Sequence, residues 1–576
     1  MATEDARAPT VSTPKLSELF RSSQTFFYVA IFLVLCIVPL LWGWVVQKGP
    51  FNFSLFASAA SKAWVLVVPV VAMLRAVQLA LRDIHADLRG ITARKWKKHV
   101  IVCGLGSCGM QLVQNSQKRN WKVIAIECEA DSPHAAAGRR EGIPVITGDA
   151  KNVSVLQIAG AANASTAVIC TGDDAENLDI ALRLEQLLAD LQTTRASRLN
   201  VLVELRNDWL FNHFLDEMES FSGANVDLRF FNTYETASRL LLRELPLSVK
   251  GSDNAEALVI VGCGAMGSRL LVDAIRLDRP PSGNKARFIV FDREAEQRKQ
   301  AFQSLYPAAE EFARIDFIET DFSTEAPEAW VAVDQVIATE PILAVAVCLA
   351  ADNESLYAAL GFLRRLERRG LASTPVYTRL ARHSQLGRRV VGLKEQHGIP
   401  SQLRTFGSLE ELFDPALILD AELDTLAREI HNYYRAHPLW PGQDLGAWED
   451  LAETFRASSR CQADQLATKL AKAGLKMERE AAAKPIALMP EEVEALASFE
   501  HHRWYVERLL SGWRYAPVRN NVDRSHNLLV PWDALSAEAK ESNVAQARTL
   551  PELLARLGWA LRRFDRDALS IPHDAF

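Results

Sequence analysis

Two long apolar runs stand near the start of the chain. Residues 25–46 are 22 consecutive positions without a charged side chain, which is long enough for a helix to cross a bilayer. Residues 63–81 form a second run that Arg75 interrupts, and an arginine near one end of a span can extend to the interface. We predict two transmembrane helices within residues 24–82. A cleaved signal sequence is the alternative for the first run, and an interfacial helix for the second.

The basic residues around these runs indicate an orientation. Two lysines, Lys48 and Lys62, lie between the runs, whereas six basic residues follow the second one: Arg82, Arg89, Arg94, Lys95, Lys97 and Lys98. By the positive-inside rule, both ends of the chain are cytoplasmic, including a short tail at residues 1–23, and the protein is a multi-pass protein of the inner membrane. The connection at residues 47–61 contains no TVGYG-like run, so a pore here is not a conventional potassium pore.

The pattern changes after His99 to short buried strands that alternate with helix-like stretches. The strand at residues 99–103 precedes Gly104, Gly106 and Gly109, and a second strand ends at Glu127. Such glycines allow a tight turn and close approach of a pyrophosphate to a helix N-terminus. The carboxylate of Glu127 is placed to accept from ribose hydroxyls, which favours NAD(H) or another adenine nucleotide over a 2′-phosphorylated cofactor.

The same order recurs later in the chain. Gly262, Gly264 and Gly267 follow an apolar strand, the strand at residues 287–291 ends in Asp292, and Asp321 lies in the sequence FIETDFS. The segment QVIATE, which ends in Glu340, is taken as the next strand. The chain therefore carries two Rossmann-type units, which we place at residues 98–245 and 255–415.

The first unit resembles the regulator-of-potassium-conductance family, also called TrkA-N, through its Gly-Asp-Ala turn and the later sequence TGDDAEN. The resemblance implies regulatory rather than catalytic binding of NAD(H), ATP, ADP or a similar effector. It adds Ser107, Asp149, Ala150, Thr171 and Asp173 to the candidate ligand residues. In the second unit, Glu-Thr-Asp stands where Gly-Asp-Ala is expected, a change that closes or reshapes the site. An empty Rossmann fold is the alternative for either unit, and tandem units imply a homo-oligomer, most simply a tetramer.

The C-terminal region resembles the ryanodine-receptor (RyR) domain family. The residues that carry the resemblance are His502, Trp504, Glu507, Arg508, Gly512, Trp513, Tyr515 and the segment LVPW at residues 529–532. Asn527 departs from the proline that this family usually has after the histidine of the loop. Stacking and polar side chains make a candidate site for a planar ligand: Trp504, Trp513, Arg514, Tyr515 and His526. Core packing is the alternative for both tryptophans.

An upstream segment repeats this region in degenerate form. The sequence that begins at Trp448 aligns without gaps with the sequence that begins at Trp532, and His431 is aligned with His502. We predict a mainly helical tandem pair, with a degenerate RyR-like module at residues 421–480 and an RyR domain at residues 490–576. The predicted fold class is therefore multidomain: a transmembrane helical hairpin, two α/β Rossmann-like domains and the C-terminal helical pair.

Composition narrows the classes of function. The net charge is −6, so the chain lacks the overall basic character that would suggest a nucleic-acid partner. The eight cysteines are scattered without a CxxC pair, and GxSxG, HExxH and GxxxxGKT are absent from the sequence. We therefore expect no catalytic residues and no metal ligands.

Three functions remain open. In the first, the protein is a membrane-anchored nucleotide sensor, an oligomeric ligand-gated channel or membrane effector that acts in potassium-transport-like, stress or phage-defence signalling. In the second, it is a nucleotide-binding regulatory subunit of a separate potassium transporter. The third is an NAD-dependent oxidoreductase, which lacks a candidate proton donor beside the nicotinamide. The expected partners are the lipid bilayer, a small nucleotide, further copies of the chain and, in the second case, a transporter.

Overall fold

The computed structural model describes the chain from Trp96 onwards, with gaps. The described residues are 96–190, 198–207, 210, 225–245, 256–277, 285–322, 328–381, 402–419, 422–437, 445–451 and 453–563. Within these ranges, every helix is too short or too polar to traverse a bilayer. Both predicted membrane spans, residues 25–46 and 63–81, lie outside the described residues.

The first sheet has six parallel strands in the order β3-β2-β1-β4-β5-β6. Its strands are β1 Val100–Cys103, β2 Val123–Glu127, β3 Val145–Thr147, β4 Thr166–Ile169, β5 Leu199–Glu204 and β6 Val226–Phe231. The helices beside it are α1 Ser107–Lys118, α2 Pro133–Arg140, α3 Val153–Ile158, α4 Asp174–Asp190 and α5 Thr233–Glu244. Val102 packs into the core on one face and Ile101 into the core on the other. Burial on both faces explains why these strands are continuously apolar, and the order is that of a Rossmann fold.

The second sheet repeats this order as β9-β8-β7-β10-β11-β12. Its strands are β7 Ala257–Val261, β8 Ala286–Asp292, β9 Ala313–Glu319, β10 Ile342–Val347, β11 Val376–Arg379 and β12 Leu403–Phe406. Its helices are α6 Ala265–Leu277, α7 Ala295–Leu305, α8 Ala309–Phe312, α9 Glu328–Thr339, α10 Asp352–Arg368, α11 Leu409–Leu412 and α12 Pro415–Ile418. Two parallel Rossmann-like sheets are therefore confirmed.

One predicted strand of the second unit is wrong. QVIATE belongs to α9, and Glu340 follows the last turn of that helix. The buried side chains of Trp330, Val333 and Ile337 recur at intervals of three and four residues, which is helical spacing. The strand that follows β9 along the chain is β10, and Glu340 instead accepts from Arg287 Nη2 at 2.8 Å, near the amino ends of the strands.

The two sheets contact each other through the helices that follow their glycine turns. Helix α1 packs against α11 and α12, and α5 packs against α6. In the first contact, Asn115 Nδ2 donates to the carbonyl oxygens of Glu410 and Phe413, at 3.0 and 3.1 Å. In the second, Arg269 pairs with Glu235 at 3.2 Å. Both glycine turns are therefore connected directly to the contact between the sheets.

The C-terminal region is mainly helical and contains two internally similar halves. Its helices are α13 Thr425–Ala436, α14 Glu453–Asp464, α15 Leu466–Lys472, α16 Pro490–Leu510 and α17 Ala537–Arg556. Its strands are β13 Leu475–Arg479, β14 Arg514–Tyr515, β15 Ser525–His526 and β16 Trp559–Arg563. Strands β13 and β16 pair antiparallel about Met477 and Leu561, which are equivalent residues in the alignment that starts at Trp448 and Trp532. Pairing of equivalent residues is the signature of a two-fold relation between the halves.

The histidines of the two halves correspond differently from the sequence alignment. His431 Nε2 lies 3.3 Å from the carbonyl oxygen of Gly446, and His501 Nε2 lies 2.8 Å from that of Val530. Each carbonyl precedes the repeated tryptophan by two residues, and each histidine ring lies within 6 Å of that tryptophan. The counterpart of His431 is therefore His501, not His502, because burial against the tryptophan decides the equivalence.

Candidate functional site

The first glycine turn joins β1 to α1, and its three glycines have different roles. Gly104 has a φ of +91°, and a Cβ there would lie 2.6 Å from Thr171 Cα. A Cβ on Gly109 would lie 2.0 Å from the carbonyl oxygen of Gly104. Around a Cβ on Gly106, in contrast, no atom of the described residues lies within 4 Å. The fold itself requires Gly104 and Gly109, whereas Gly106 leaves open space above the turn.

The acid at the end of β2 is held against this turn by backbone groups. Leu105 N donates to Glu127 Oε2 at 2.8 Å, and Glu129 N donates to Glu127 Oε1 at 3.2 Å. The side chain is buried, with 8% of the residue exposed. These bonds fix the carboxylate at the carboxyl edge of the sheet, beside the open space at Gly106.

The remaining predicted residues of the first unit follow β1, β3 and β4 at the same edge. Asp149 Oδ1 accepts from Lys151 N at 2.8 Å, and Asp173 Oδ1 accepts from Glu176 N at 2.9 Å. Thr171 donates from its hydroxyl to Asn177 Oδ1 at 2.7 Å. Ser107, at the start of α1, is exposed, and Ala150 is buried. Since carboxyl ends of parallel strands lie at one edge, all of these positions lie along the carboxyl edge of the first sheet, and those after β1 and β4 lie where the strand order reverses.

Sequence reasoning missed an ion pair at this edge. Arg206 follows β5 and donates from Nε and Nη2 to the two carboxylate oxygens of Glu204, each at 3.0 Å. Its Nη2 also lies 3.2 Å from Cys108 Sγ, in the first turn of α1. Burial alone would lower the pKa of Arg206, but Glu204 outweighs it and raises that pKa. The available signal was the sequence VELR, which places an acid and an arginine at another strand end.

The second glycine turn has the same backbone geometry. Gly262 has a φ of +88°, and a Cβ on Gly267 would lie 1.9 Å from the carbonyl oxygen of Gly262. A Cβ on Gly264 meets no described atom within 4 Å. Cys263 N donates to Asp292 Oδ2 at 2.7 Å, as Leu105 does to Glu127. The backbone alone therefore does not distinguish the two turns.

The predicted alignment of Glu-Thr-Asp with Gly-Asp-Ala is wrong by one residue. Gly148 N donates to the carbonyl oxygen of Glu127 at 2.9 Å, and Thr320 N donates to that of Asp292 at 2.9 Å. The counterpart of Gly-Asp-Ala is therefore Thr320-Asp321-Phe322, so the aspartate is retained as Asp321. The longer strand β9 displaced the alignment by one residue. The real changes are the threonine and the buried ring of Phe322, which is 4% exposed.

The carboxyl edge of the second sheet is also less polar after β10, its fourth strand along the chain. Cys170 N donates to the carbonyl oxygen of Cys103 at 2.9 Å, and Cys348 N donates to that of Val261 at 2.7 Å. Counting from these cysteines, Leu349 and Ala351 replace Thr171 and Asp173. Asp292 additionally faces Arg298, whose Nε lies 3.7 Å from its carboxylate. The first edge therefore offers more groups for a polar ligand.

The predicted RyR ligand residues lie on and around β14 and β15, where Tyr515 pairs with His526. The rings of Trp504 and His526 meet edge to face, with centroids 5.0 Å apart. Trp513 lies under the guanidinium of Arg508, 4.9 Å from its ring centroid. Arg514 and Tyr515 are exposed on β14. Burial lowers the pKa of His526, with Arg519 and Arg508 adding to the effect.

A separate cleft lies between α16 and α17, and none of the five predicted residues lines it. Its volume is about 610 Å³, and its lining includes Ile486, Val493, Trp532, Val544, Lys540 and Arg548. Lys540 Nζ lies 5.2 Å from the Trp532 ring centroid. The alignment of Trp448 with Trp532 identified Trp532 as a repeat position but gave no indication of this cleft.

Comparison with known families matches two segments of the chain. Residues 100–203 match the TrkA-N domain, and residues 487–563 match the RyR domain. An uncharacterized protein of Methanothermus fervidus is 35% identical over 91 residues, a match that spans 16% of this chain and 14% of that relative.

Several solved structures of GsuK are similar to the chain. GsuK bound to ADP is 15% identical with a TM-score of 0.39, and the match covers 69% of this chain and 98% of that one. The GsuK channel bound to NAD is 13% identical with a TM-score of 0.40, covering 70% of this chain and 85% of the other.

Proposed function

We propose that the first Rossmann unit binds a regulatory nucleotide, either NAD(H) or an adenine nucleotide, at the carboxyl edge of its sheet. Both units have an open space beside a fixed carboxylate, at Gly106 and Glu127 in the first unit. The observation that carries this proposal is that the first unit adds the polar side chains of Thr171 and Asp173 at this edge, where the second unit has a leucine and an alanine. A glycine without steric need at a helix N-terminus allows a pyrophosphate to approach the backbone. The match of residues 100–203 to the TrkA-N domain supports the same reading.

A regulatory role follows from where the binding site sits. Helix α1 begins at the glycine turn and donates from Asn115 to carbonyl groups of the second unit. A ligand that prefers one packing of α1 will shift the arrangement of the two sheets by its difference in affinity. Binding and conformational change are therefore coupled without any reaction.

We further propose that residues 24–82 anchor the protein in the inner membrane, with both ends of the chain cytoplasmic. The apolar runs and the basic residues after them support this topology. The protein would assemble as a homotetramer and act as a ligand-gated channel or membrane effector. The alternative is a regulatory subunit of a separate potassium transporter, which the missing TVGYG-like run favours.

The RyR domain is proposed as a second sensor. Its helix α16 shares a hydrophobic core with the second Rossmann unit through Val506 and Leu510, and Tyr505 contacts Phe312 edge to face at 5.8 Å. A ligand on this domain would therefore act first on the second unit.

The decisive experiment replaces one glycine in each turn. Gly106→Ala and Gly264→Ala both place a methyl group in open space, so neither should lower the melting temperature by more than about 2 °C. With full-length protein, Gly106→Ala should weaken ADP or NAD binding by about tenfold or more in calorimetry, and Gly264→Ala should leave it unchanged. Equal affinity of Gly106→Ala and the unmodified protein would overturn the proposed site.

Ion flux separates the two membrane functions. Full-length protein reconstituted alone in vesicles should conduct potassium only when ADP or NAD is present if it is a channel. A silent preparation that co-purifies with a potassium transporter would instead establish the regulatory-subunit alternative.

A further inference from the structure

The carboxyl edge of the first sheet is rich in acids. Glu127 and Glu204 are the last residues of their strands, and Asp149, Asp173 and Asp174 follow strands of the same sheet. A nucleotide phosphate brought to this edge would be repelled unless a cation lies close to the helix N-terminus that receives it. The cations of this edge therefore decide which nucleotides bind.

Two of these cations, Lys151 and Arg139, bind groups of the protein away from α1. Lys151 Nζ pairs with Glu176 at 2.8 Å and lies 3.8 Å from Asp149. Arg139 donates to Thr147 Oγ1 at 2.6 Å and to the carbonyl oxygen of Ala130 at 3.3 Å. None of these contacts involves a residue of α1.

Arg206 differs from both, because its contacts reach α1. Its Nη2 lies 3.2 Å from Cys108 Sγ, in the first helical turn after Gly106. Its side chain is 35% exposed, whereas that of its partner Glu204 is fully buried. The guanidinium is therefore accessible to a ligand while its position is fixed from beneath.

The ion pair with Glu204 also holds Arg206 in an orientation in which it can bind a phosphate. Glu204 takes Nε and Nη2, and Thr233 donates to Glu204 Oε1 at 3.3 Å, so the guanidinium plane is held. In the part of the chain that the structure describes, Arg206 Nη1 has no hydrogen-bond partner. An arginine held this way loses little side-chain entropy when it binds an oxyanion.

We propose that Arg206 binds a phosphate group of the nucleotide in the first Rossmann unit and thereby selects phosphorylated nucleotides over nucleosides. This inference rests on the proposed nucleotide site and adds the chemical group that the site recognises. The second unit has Ala381 where Arg206 stands, because Ala381 N donates to Asp352 at 3.0 Å as Arg206 N does to Asp174. The second unit therefore has no arginine at the position of Arg206.

The test compares ADP with adenosine on full-length protein by calorimetry. Removing the guanidinium alone would leave Glu204 buried without its partner, so the informative variant is the double substitution Glu204→Gln with Arg206→Gln. We expect it to weaken ADP binding at least tenfold, since charged hydrogen bonds to phosphate are lost, and to change adenosine binding by less than about twofold. Arg206→Lys keeps a charge but loses the planar guanidinium group, so its ADP affinity should lie between that of the unmodified protein and that of the double variant.

Arg139→Gln is the matched control, because it removes the same charge from the same edge without touching α1. It should alter ADP affinity by less than about twofold at fixed ionic strength. An equal loss of ADP and adenosine affinity in the double variant, or no loss of either, would refute the role of Arg206. If the unmodified protein binds neither compound, the nucleotide site itself fails, and that outcome is distinct from the failure of Arg206.

Discussion

The two Rossmann units share their backbone and differ in their side chains. Both have the same strand order, a glycine at positive φ after the first strand, and an acid that accepts from the backbone of the turn. They diverge after the third and fourth strands, where Phe322, Leu349 and Ala351 replace Ala150, Thr171 and Asp173.

This difference separates what the fold requires from what a ligand requires. Gly104 and Gly262 are required by the fold itself, because each has a positive φ, and a Cβ on Gly104 would also lie 2.6 Å from Thr171 Cα. The fold does not require the polar side chains at the carboxyl edge of the first sheet, since the second unit has the same fold without their counterparts. The side chains that differ between the units are therefore the ones by which the proposed nucleotide site can be tested.

The largest expected effect tests the shared part of the comparison. Gly109→Ala and Gly267→Ala should each abolish folding of their unit or cost more than about 4 kcal/mol, because each Cβ would meet a backbone oxygen at 2.0 or 1.9 Å. Thermal unfolding of the two variants measures this. A mild effect in one unit and a severe one in the other would show that the turns are not equivalent.

The second prediction concerns the ring that fills the second edge. Phe322 contacts Trp330 at 5.2 Å and Phe291 at 6.1 Å between ring centroids. Phe322→Ala should therefore lower the free energy of unfolding by about 3 to 4 kcal/mol, as expected for a buried ring that leaves a cavity. Denaturant unfolding provides the measurement.

Ala150→Gly is the matched change at the first edge. Ala150 is also buried, but it has no ring to lose, so the cost should be near 1 kcal/mol. A cost at Phe322 as small as that at Ala150 would mean that the aromatic cluster does not support the second unit.

Much of this comparison could be predicted from the sequence. The glycine spacings at Gly104 and Gly262 and the acids at Glu127 and Asp292 were sufficient to predict both Rossmann units. These features are local, because a turn and the strand before it lie within a few residues of each other. The buried strands are apolar on both faces, which makes them easy to recognise.

The parts that could not be predicted depend on contacts between distant segments. The displacement of Asp321 is decided by a backbone bond from Thr320 to Asp292, and sequence spacing does not reveal which residue makes it. The position of Arg206 beside α1 is shown by its contact with Cys108, which lies about a hundred residues earlier in the chain. The sequence alone does not reveal such a contact. The sequence predicts a strand at QVIATE, because a short apolar run does not distinguish a helix from a strand.

The third prediction uses pH to test the buried ion pairs of α16, the helix whose Val506 and Leu510 share a core with the second unit. Burial alone would raise the pKa of Glu500, but Arg503 and Lys469 outweigh it and lower that pKa to about 2, from an ordinary value of 4.5. The resulting stability is present above pH 4.5 and is lost as the pH falls from there towards 2. We expect a loss of about 3 kcal/mol across this window.

Comparison with Glu500→Gln isolates this carboxylate from the other acids that titrate in the same range. The variant should be less stable at pH 6, and its free energy of unfolding should fall less steeply below pH 4.5 than that of the unmodified protein. Identical slopes in denaturant unfolding would contradict the assignment.

The smallest expected effect sharpens the comparison at a single hydroxyl group. Thr171→Val keeps the shape of the side chain but removes the donor that bonds Asn177 at 2.7 Å, which makes the first edge more like the second, where Leu349 stands. We expect ADP affinity to fall about fivefold, or about 1 kcal/mol, because Asn177 is then held by fewer bonds. Leu349→Thr, measured in the same calorimetric titration, should leave ADP affinity unchanged. If Thr171→Val binds ADP as the unmodified protein does, the fourth-strand polar groups are not what distinguishes the two units, and Arg206 carries the difference alone.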